Sequence, residues 1–248
     1  MEPRERTDRV NERLVLTQRM AGLTFGTDAL LLAAYVRRGE QSRALELGGG
    51  SAIVSLLLAA REKVRSIECV EIQSAYAELA LKNVRENGLE DRITVICADI
   101  RNPADYGKEP FDLVLANPPY MTCDVPPCEE EEKQIARHEV CGGIREFARA
   151  AGTKLRWGGS FFCVYRPDRL ADLTEAVRDA GMEIKRMTFV HATPALPPST
   201  VLIEAKRGGK PGMKVTKPLF IGGSLTERAD SPDMVYILEK GRFPKAYD

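Results

Sequence analysis

The chain has 248 residues, with 36 Lys plus Arg against 36 Asp plus Glu, so no global basic field attracts nucleic acid and any such contact must rest on a local patch. A hydrophobic content of 44% with 29% charged residues excludes a disordered chain. No run of 18 apolar residues is present, the N-terminus MEPRERTDRVNER lacks a signal-peptide core, and six cysteines without such a signal read as reduced thiols; a cytoplasmic protein off the membrane is expected.

Residues 1–13 are polar and expected to fray. Residues 14–17 and 23–25 flank a turn at Gly22 and are expected to pair as a hairpin. Gly26-Thr27-Asp28 precedes ALLLAAYVRR. Thr27 or Asp28 suits a helix N-cap, and Arg37 and Arg38 suit the far end of the helix dipole. The same loop can also border a ligand. Residues 44–47 form a short strand that runs into Gly48-Gly49-Gly50-Ser51-Ala52 and an amphipathic helix. Strand, glycine turn and helix let the backbone approach an anionic group, although three glycines also serve any tight turn. Residues 64–70 form the second strand, with Glu71 at its tip. Glu71 lies 25 residues past Glu46, near the offset at which an acidic side chain takes ribose hydroxyls. A helix follows with Ser74 as cap and Gly88 as stop. Ile93–Cys97 is the third strand, and Asp99 just after it suits an adenine amine, with Ile72 and Ile100 against the ring.

Residues 111–115 form a fourth, buried strand that stops at Asn117-Pro118-Pro119-Tyr120, because proline cannot donate to a sheet ladder. The result is a rigid turn at the carboxyl end of a strand, where open α/β sheets bind ligands. An amino group conjugated to an aromatic base is a poor nucleophile. Holding its hydrogens on the Asn117 side-chain oxygen and the Pro118 carbonyl frees its lone pair, and Tyr120 can stack on its plane. A plain proline turn is the alternative. Beyond it, Glu129 to Glu132 suit the start of a helix. Cys123, Cys128, His138 and Cys141 are separated by four, nine and two residues, which fits no standard zinc site, so no metal is expected. A basic helix over 143–155, a strand at 159–165, a helix at 166–180 and a strand at 183–190 follow. The strand at 200–205 has no helix before it and should run antiparallel. The helix reads as a solvated face, and the tail lysines and arginine at 206, 207, 210, 214 and 217 as phosphate contacts.

ELGGGSA (46–52), VEI (70–72), ADI (98–100) and NPPY (117–120) resemble the class I S-adenosylmethionine-dependent methyltransferases. FGTDALLLAAYV (25–36), IARHE (135–139), YRPDRL (165–170) and STVLIEAKRGGKPG (199–212) are similar to the bacterial tRNA(Val) adenine-N6 methyltransferase family, which modifies the adenosine just 3′ of the anticodon. The resemblance implies an α/β, Rossmann-like, seven-stranded, mostly parallel sheet with an antiparallel last strand. It implies one methyltransferase domain over 1–248: an N-terminal hairpin and helix (1–42), a catalytic core (43–206) and a C-terminal extension (207–248). It also implies S-adenosylmethionine as cofactor and tRNA as partner. Glu46, Gly48 and Gly50 would line the cofactor's methionine end, Glu71 its ribose, and Asp99, Ile72 and Ile100 its adenine. Thr27 and Asn117 would border it, and Asn117, Pro118 and Tyr120 would hold the target base. Two features depart from the pattern. Ala52 replaces the third glycine, which is tolerated if the position is helical. Glu129 to Glu132 disfavour a phosphate backbone nearby. Two other readings keep part of this chemistry: methylation of a protein glutamine, and cofactor binding without catalysis.

Overall fold

The computed structural model describes residues 5–19, 26–37, 39–119, 143–223 and 229–248. Tyr120, the acidic run Glu129 to Glu132 and the Cys123, Cys128, His138, Cys141 set lie outside them.

Strands β3 (Arg43–Leu47), β4 (Ser66–Glu71), β5 (Ile93–Cys97), β6 (Phe111–Ala116), β7 (Leu155–Tyr165), β8 (Met182–His191) and β9 (Pro198–Arg207) form one sheet in the order β8-β9-β7-β6-β3-β4-β5. All are parallel except β9, which runs antiparallel between β7 and β8. Two further strands of two residues each, β10 (Lys214–Val215) and β11 (Leu219–Phe220), pair parallel with β8 and extend the sheet beyond the expected seven.

Successive strand residues point to opposite faces, which divides the core in two. On β7, Phe162 and Val164 join a cluster with α1 (Thr27–Tyr35), α2 (Ile53–Ala60) and α3 (Ser74–Glu86). Phe161, Cys163 and Tyr165 join the other, with α4 (Ile144–Lys154) and α5 (Leu170–Asp179). Helix α6 (Pro232–Lys240) adds Met234 and Ile237 to the first. Helix α2 is not amphipathic as expected, since Ile53 through Ala59 are all buried. Among the described residues no helix is long and apolar enough to cross a membrane.

The N-terminal hairpin differs from the expected one. Residues 5–11, expected to fray, form β1 (Glu5–Asn11), and residues 14–17 pair backward with it as part of β2 (Leu14–Arg19); the expected partner, 23–25, lies outside the described residues. The Asn11 side chain makes the turn by accepting from Arg13 N and Leu14 N. The amides of Asn83 on α3 and Asn87 at its C-cap then exchange hydrogen bonds with Thr17 and Val15, acting as a substitute strand for the open edge of β2.

Helix α1 also ends differently. Its N-cap is Gly26, without a side-chain cap, so neither Thr27 nor Asp28 serves. Arg37 turns away to Glu204 and Asp248. The buried Lys63 ammonium instead donates to the carbonyls of Ala33, Ala34 and Val36 at 2.6–3.1 Å, closing the orphan acceptors of the last turn.

Candidate functional site

The parallel register brings four strand tips to one edge. Leu47 lies opposite both Val70 and Ala116, and Glu71 lies opposite Cys97. The glycine turn, Glu71-Ile72, Ala98-Asp99-Ile100 and Asn117-Pro118 therefore leave the sheet side by side.

The turn after β3 is fixed mainly by backbone contacts. Gly48 N and Gly49 N donate to the Val70 carbonyl at 2.8 and 3.0 Å. Gly48 and Gly50 have φ of +68° and +55°, which glycine adopts without strain. A Cβ on Gly49 would meet Cys69 Sγ, so the turn sits tightly on β4, whereas one on Gly50 would meet open space. Ala52 is not helical, contrary to the expectation. It precedes α2 at φ 64°, ψ 23°, in the left-handed region that costs a non-glycine residue roughly 1–2 kcal/mol.

Glu46 is buried beneath this turn. Its Oε2 accepts from Ser55 N at 2.9 Å and from Ser55 Oγ, and burial pushes its carboxyl up to about 7. Glu71 is also buried, yet held from both sides: Oε2 accepts from Gly50 N and Oε1 from Gln73 N, each at 2.9 Å. Burial raises its pKa, against the pull of these amides. The Ile72 amide also acts on this carboxylate, and with about four acceptor sites it keeps capacity for a further donor. Asn83 Nδ2 ties the Ser51 carbonyl to the same frame, a contact with no motif to announce it.

Asp99 is more exposed, and Arg101 grips both of its oxygens, which lowers its pKa. Ile72 is half-buried, while Ile100 is packed in the second core cluster. Thr27 is half-buried in the first turn of α1. Asn117 is exposed on the edge above a buried Pro118.

Asn117 also lines a pocket of about 450 Å³. The other described walls are Asp28 of α1, Val164 to Asp168 at and just past the end of β7, and Pro198 to Thr200 at the start of β9. Asp28 Oδ1 accepts from Thr200 Oγ1 at 3.2 Å, and burial raises the Asp28 pKa. Arg166 and Asp168 form a two-pronged ion pair there. Apart from Asn117, none of these was picked out as a site residue. Their signal was present, since three of the stretches singled out in the sequence, 25–36, 165–170 and 199–212, meet here.

The basic segments lie elsewhere. On α4, Arg145 pairs with Glu175 and Asp179, and Lys154 caps three carbonyls. Lys206 lies opposite Ser160, midway along β7, and Arg207 opposite Met182, at the amino end of β8. That places them about 20 Å along β9 from Thr200, on the opposite edge from Asn117. Lys214 and Lys217 are engaged by the Asp248 carbonyl and by Asp233. The start of the tail therefore lies away from the Asn117 edge. Among the described residues no group of His, Cys, Asp and Glu could hold a metal.

The profile of the Methyltransferase small domain family matches residues 20–173. A tRNA1(Val) (adenine(37)-N6)-methyltransferase from Enterobacter sp. (strain 638) is 32% identical over 180 residues, covering 72% of this chain and 73% of the relative. A predicted O-methyltransferase from Agrobacterium tumefaciens superposes with a TM-score of 0.68 at 23% identity, over 87% of this chain and 97% of that one. The T. thermophilus 16S rRNA N2 G1207 methyltransferase, solved with AdoMet and guanosine, gives 0.56 at 19% identity, over 82% of this chain and 50% of that one. The two superpositions bear on the fold alone.

Proposed function

The chain belongs to the methyltransferase small domain family, within the class I S-adenosylmethionine-dependent methyltransferases, and on that premise we propose that it methylates an exocyclic amino group, adenine N6 in a tRNA anticodon loop. The observation that carries this reading is the placement of Asn117-Pro118 on the same sheet edge as the Glu71 carboxylate, with a pocket beside it.

The residues fit the cofactor. The open space over Gly50 admits a ligand against the turn, and the Glu71 carboxylate, oriented by backbone amides, is the acceptor for a ribose hydroxyl. Asp99 is the acceptor for the adenine amine, shared with Arg101. When bound, S-adenosylmethionine supplies an electrophilic methyl group on a sulfonium, whose departure as a neutral thioether needs no strong general acid. Glu46 serves from below, holding the start of α2 through Ser55 and so the shape of the turn.

On the acceptor side, the Asn117 side-chain oxygen takes one amine hydrogen and the Pro118 carbonyl the other. Both interactions tighten as the nitrogen becomes tetrahedral and its hydrogens more acidic, so they favour the transition state over the bound substrate. Tyr120 stacks on the base, offsetting roughly 1–3 kcal/mol of the cost of unstacking it. The relatives' substrate points to tRNA, and a cytoplasmic location follows from that substrate.

The test is methyl incorporation from labelled S-adenosylmethionine into bulk tRNA and into protein, followed by nucleoside analysis. N6-methyladenosine in tRNA is expected. Label in protein glutamine would move the acceptor, and no incorporation into either would leave a binding module.

A further inference from the structure

We propose that Trp157 and the two lysines beside it, Lys206 and Lys210, form a second contact surface for the RNA substrate, on which an unpaired base stacks while flanking phosphates meet the two ammonium groups; the inference rests on the tRNA reading above.

Trp157 is the chain's only tryptophan, and at 76% it is the most exposed large apolar side chain among the described residues. It lies in the irregular stretch of β7 between the rungs that Leu155 and Ser160 make with β6. Its ring is seated on the turn that follows β9. Gly209 N closes that turn on the Lys206 carbonyl at 3.1 Å, and Gly208 N donates to the Gly181 carbonyl just before β8. A Cβ on Gly208 would come within 2.2–2.5 Å of three indole atoms, so the ring rests where only a glycine leaves room for it. At φ +66° the backbone favours glycine there as well. The indole is thus backed by the turn yet open to solvent, and a rigid aromatic plane loses little freedom when a base stacks on it.

The charge around the ring is of one sign. Lys206 and Lys210 stand two residues to either side of Gly208, both exposed, and neither ammonium has a partner among the described residues. The neighbouring charges are engaged: Glu183 with Arg178, Arg156 with Asp112, Lys185 with the Lys210 and Gly212 carbonyls, and Arg207 with the Leu155 carbonyl. What is left uncompensated is positive and complementary to phosphate. An aromatic plane flanked by free cations is what a single nucleic-acid strand binds, through stacking and backbone neutralisation. The surface lies about 20 Å along β9 from Thr200, so it contributes to affinity for the RNA rather than to the chemical step.

The experiment titrates tRNA into the full-length protein while following Trp157 fluorescence, and compares the methylation kinetics of wild type, Trp157→Ala, Trp157→Phe and the double variant Lys206→Gln, Lys210→Gln. tRNA should quench the single tryptophan. Trp157→Ala should raise KM for tRNA about tenfold with kcat unchanged, and Trp157→Phe should restore most of the loss, as expected for one stacked base. The double lysine variant should flatten the log–log salt dependence of tRNA binding by about 1.4–1.8, the value of two phosphates. Calorimetric affinity for S-adenosylmethionine should match wild type in every variant, which shows that each is folded. Saturable tRNA binding that leaves the fluorescence unchanged, with an unaltered KM in Trp157→Ala, overturns this surface while leaving tRNA methylation intact. A wild-type dimer that dissociates in Trp157→Ala would assign the patch to a second copy of the chain and overturn it as well. If wild type neither binds nor methylates tRNA, the RNA reading itself fails and this inference fails with it.

Discussion

The two halves of the proposed site, one for the cofactor and one for the acceptor, are built in different ways. The cofactor half, from the glycine turn through Glu71 to Asp99, comes from three consecutive strand tips within 54 residues. Backbone amides orient it: Gly50 N and Gln73 N aim Glu71, and the Val70 carbonyl holds Gly48 and Gly49. The acceptor half draws on Asp28, Asn117, Tyr165 to Asp168 and Pro198 to Thr200, which only the sheet order brings together. Antiparallel β9 delivers Thr200 to the tip of β7, and α1 delivers Asp28 across to it. A unit made of adjacent loops can stay constant while one assembled from distant segments varies, which suits a fixed cofactor and a changing acceptor.

Breaking an anchor of the acceptor half should have the largest effect on stability. Lys63→Met removes the ammonium that caps α1, leaving three carbonyls of that turn without their donor. A loss on the order of 3 kcal/mol is expected, measured as a shift in the urea midpoint. A shift below about 1 kcal/mol would show that α1 does not depend on this lysine.

The cofactor half should fail in affinity instead. Glu71→Ala removes the ribose acceptor and should weaken S-adenosylmethionine by roughly 1.5–3 kcal/mol in calorimetry. Saturating cofactor should restore most of the turnover. Unchanged affinity would remove Glu71 from the ribose.

Glu46 gives that half a pH signature. Its folded pKa of about 7 stands above an ordinary 4.5, so between these values the native state holds a proton that the unfolded chain has released. Stability should therefore fall as pH rises from about 4.5 to 7 and level off above, by at most about 3 kcal/mol from this group. Glu46→Gln should flatten that slope. An identical slope in the variant would show that the carboxylate stays ionised on its Ser55 donors.

The smallest effect concerns Ala52. Ala52→Gly relieves a left-handed alanine but loosens the unfolded chain, for a net gain of about 0.5–1 kcal/mol. A thermal melt that falls would mean that the methyl group's packing outweighs the strain.

The same contrast explains what was legible in the sequence. Strand tips that carry glycine turns and acidic residues announce themselves locally, so β3 to β6 and the positions of Glu71, Asp99 and Asn117 could be placed from pattern alone. Asp28 and Thr200 could not be paired, because their contact depends on where β9 inserts. Strand β1 could not be read because it is polar, and β2 is held on its other edge by Asn83 and Asn87, a tertiary effect. The tail's place on the sheet could not be read either, because charge density does not say which edge a segment occupies.

The central claim is that the cofactor half binds and Asn117 serves the chemical step. It is tested most directly by single-turnover methylation of tRNA by Asn117→Ala, at saturating S-adenosylmethionine, alongside calorimetry of the same protein. Loss of one acceptor that strengthens along the reaction path should cost about 3–4 kcal/mol, a hundredfold or more in rate, with cofactor affinity held within about threefold. A rate within threefold of wild type would contradict the account.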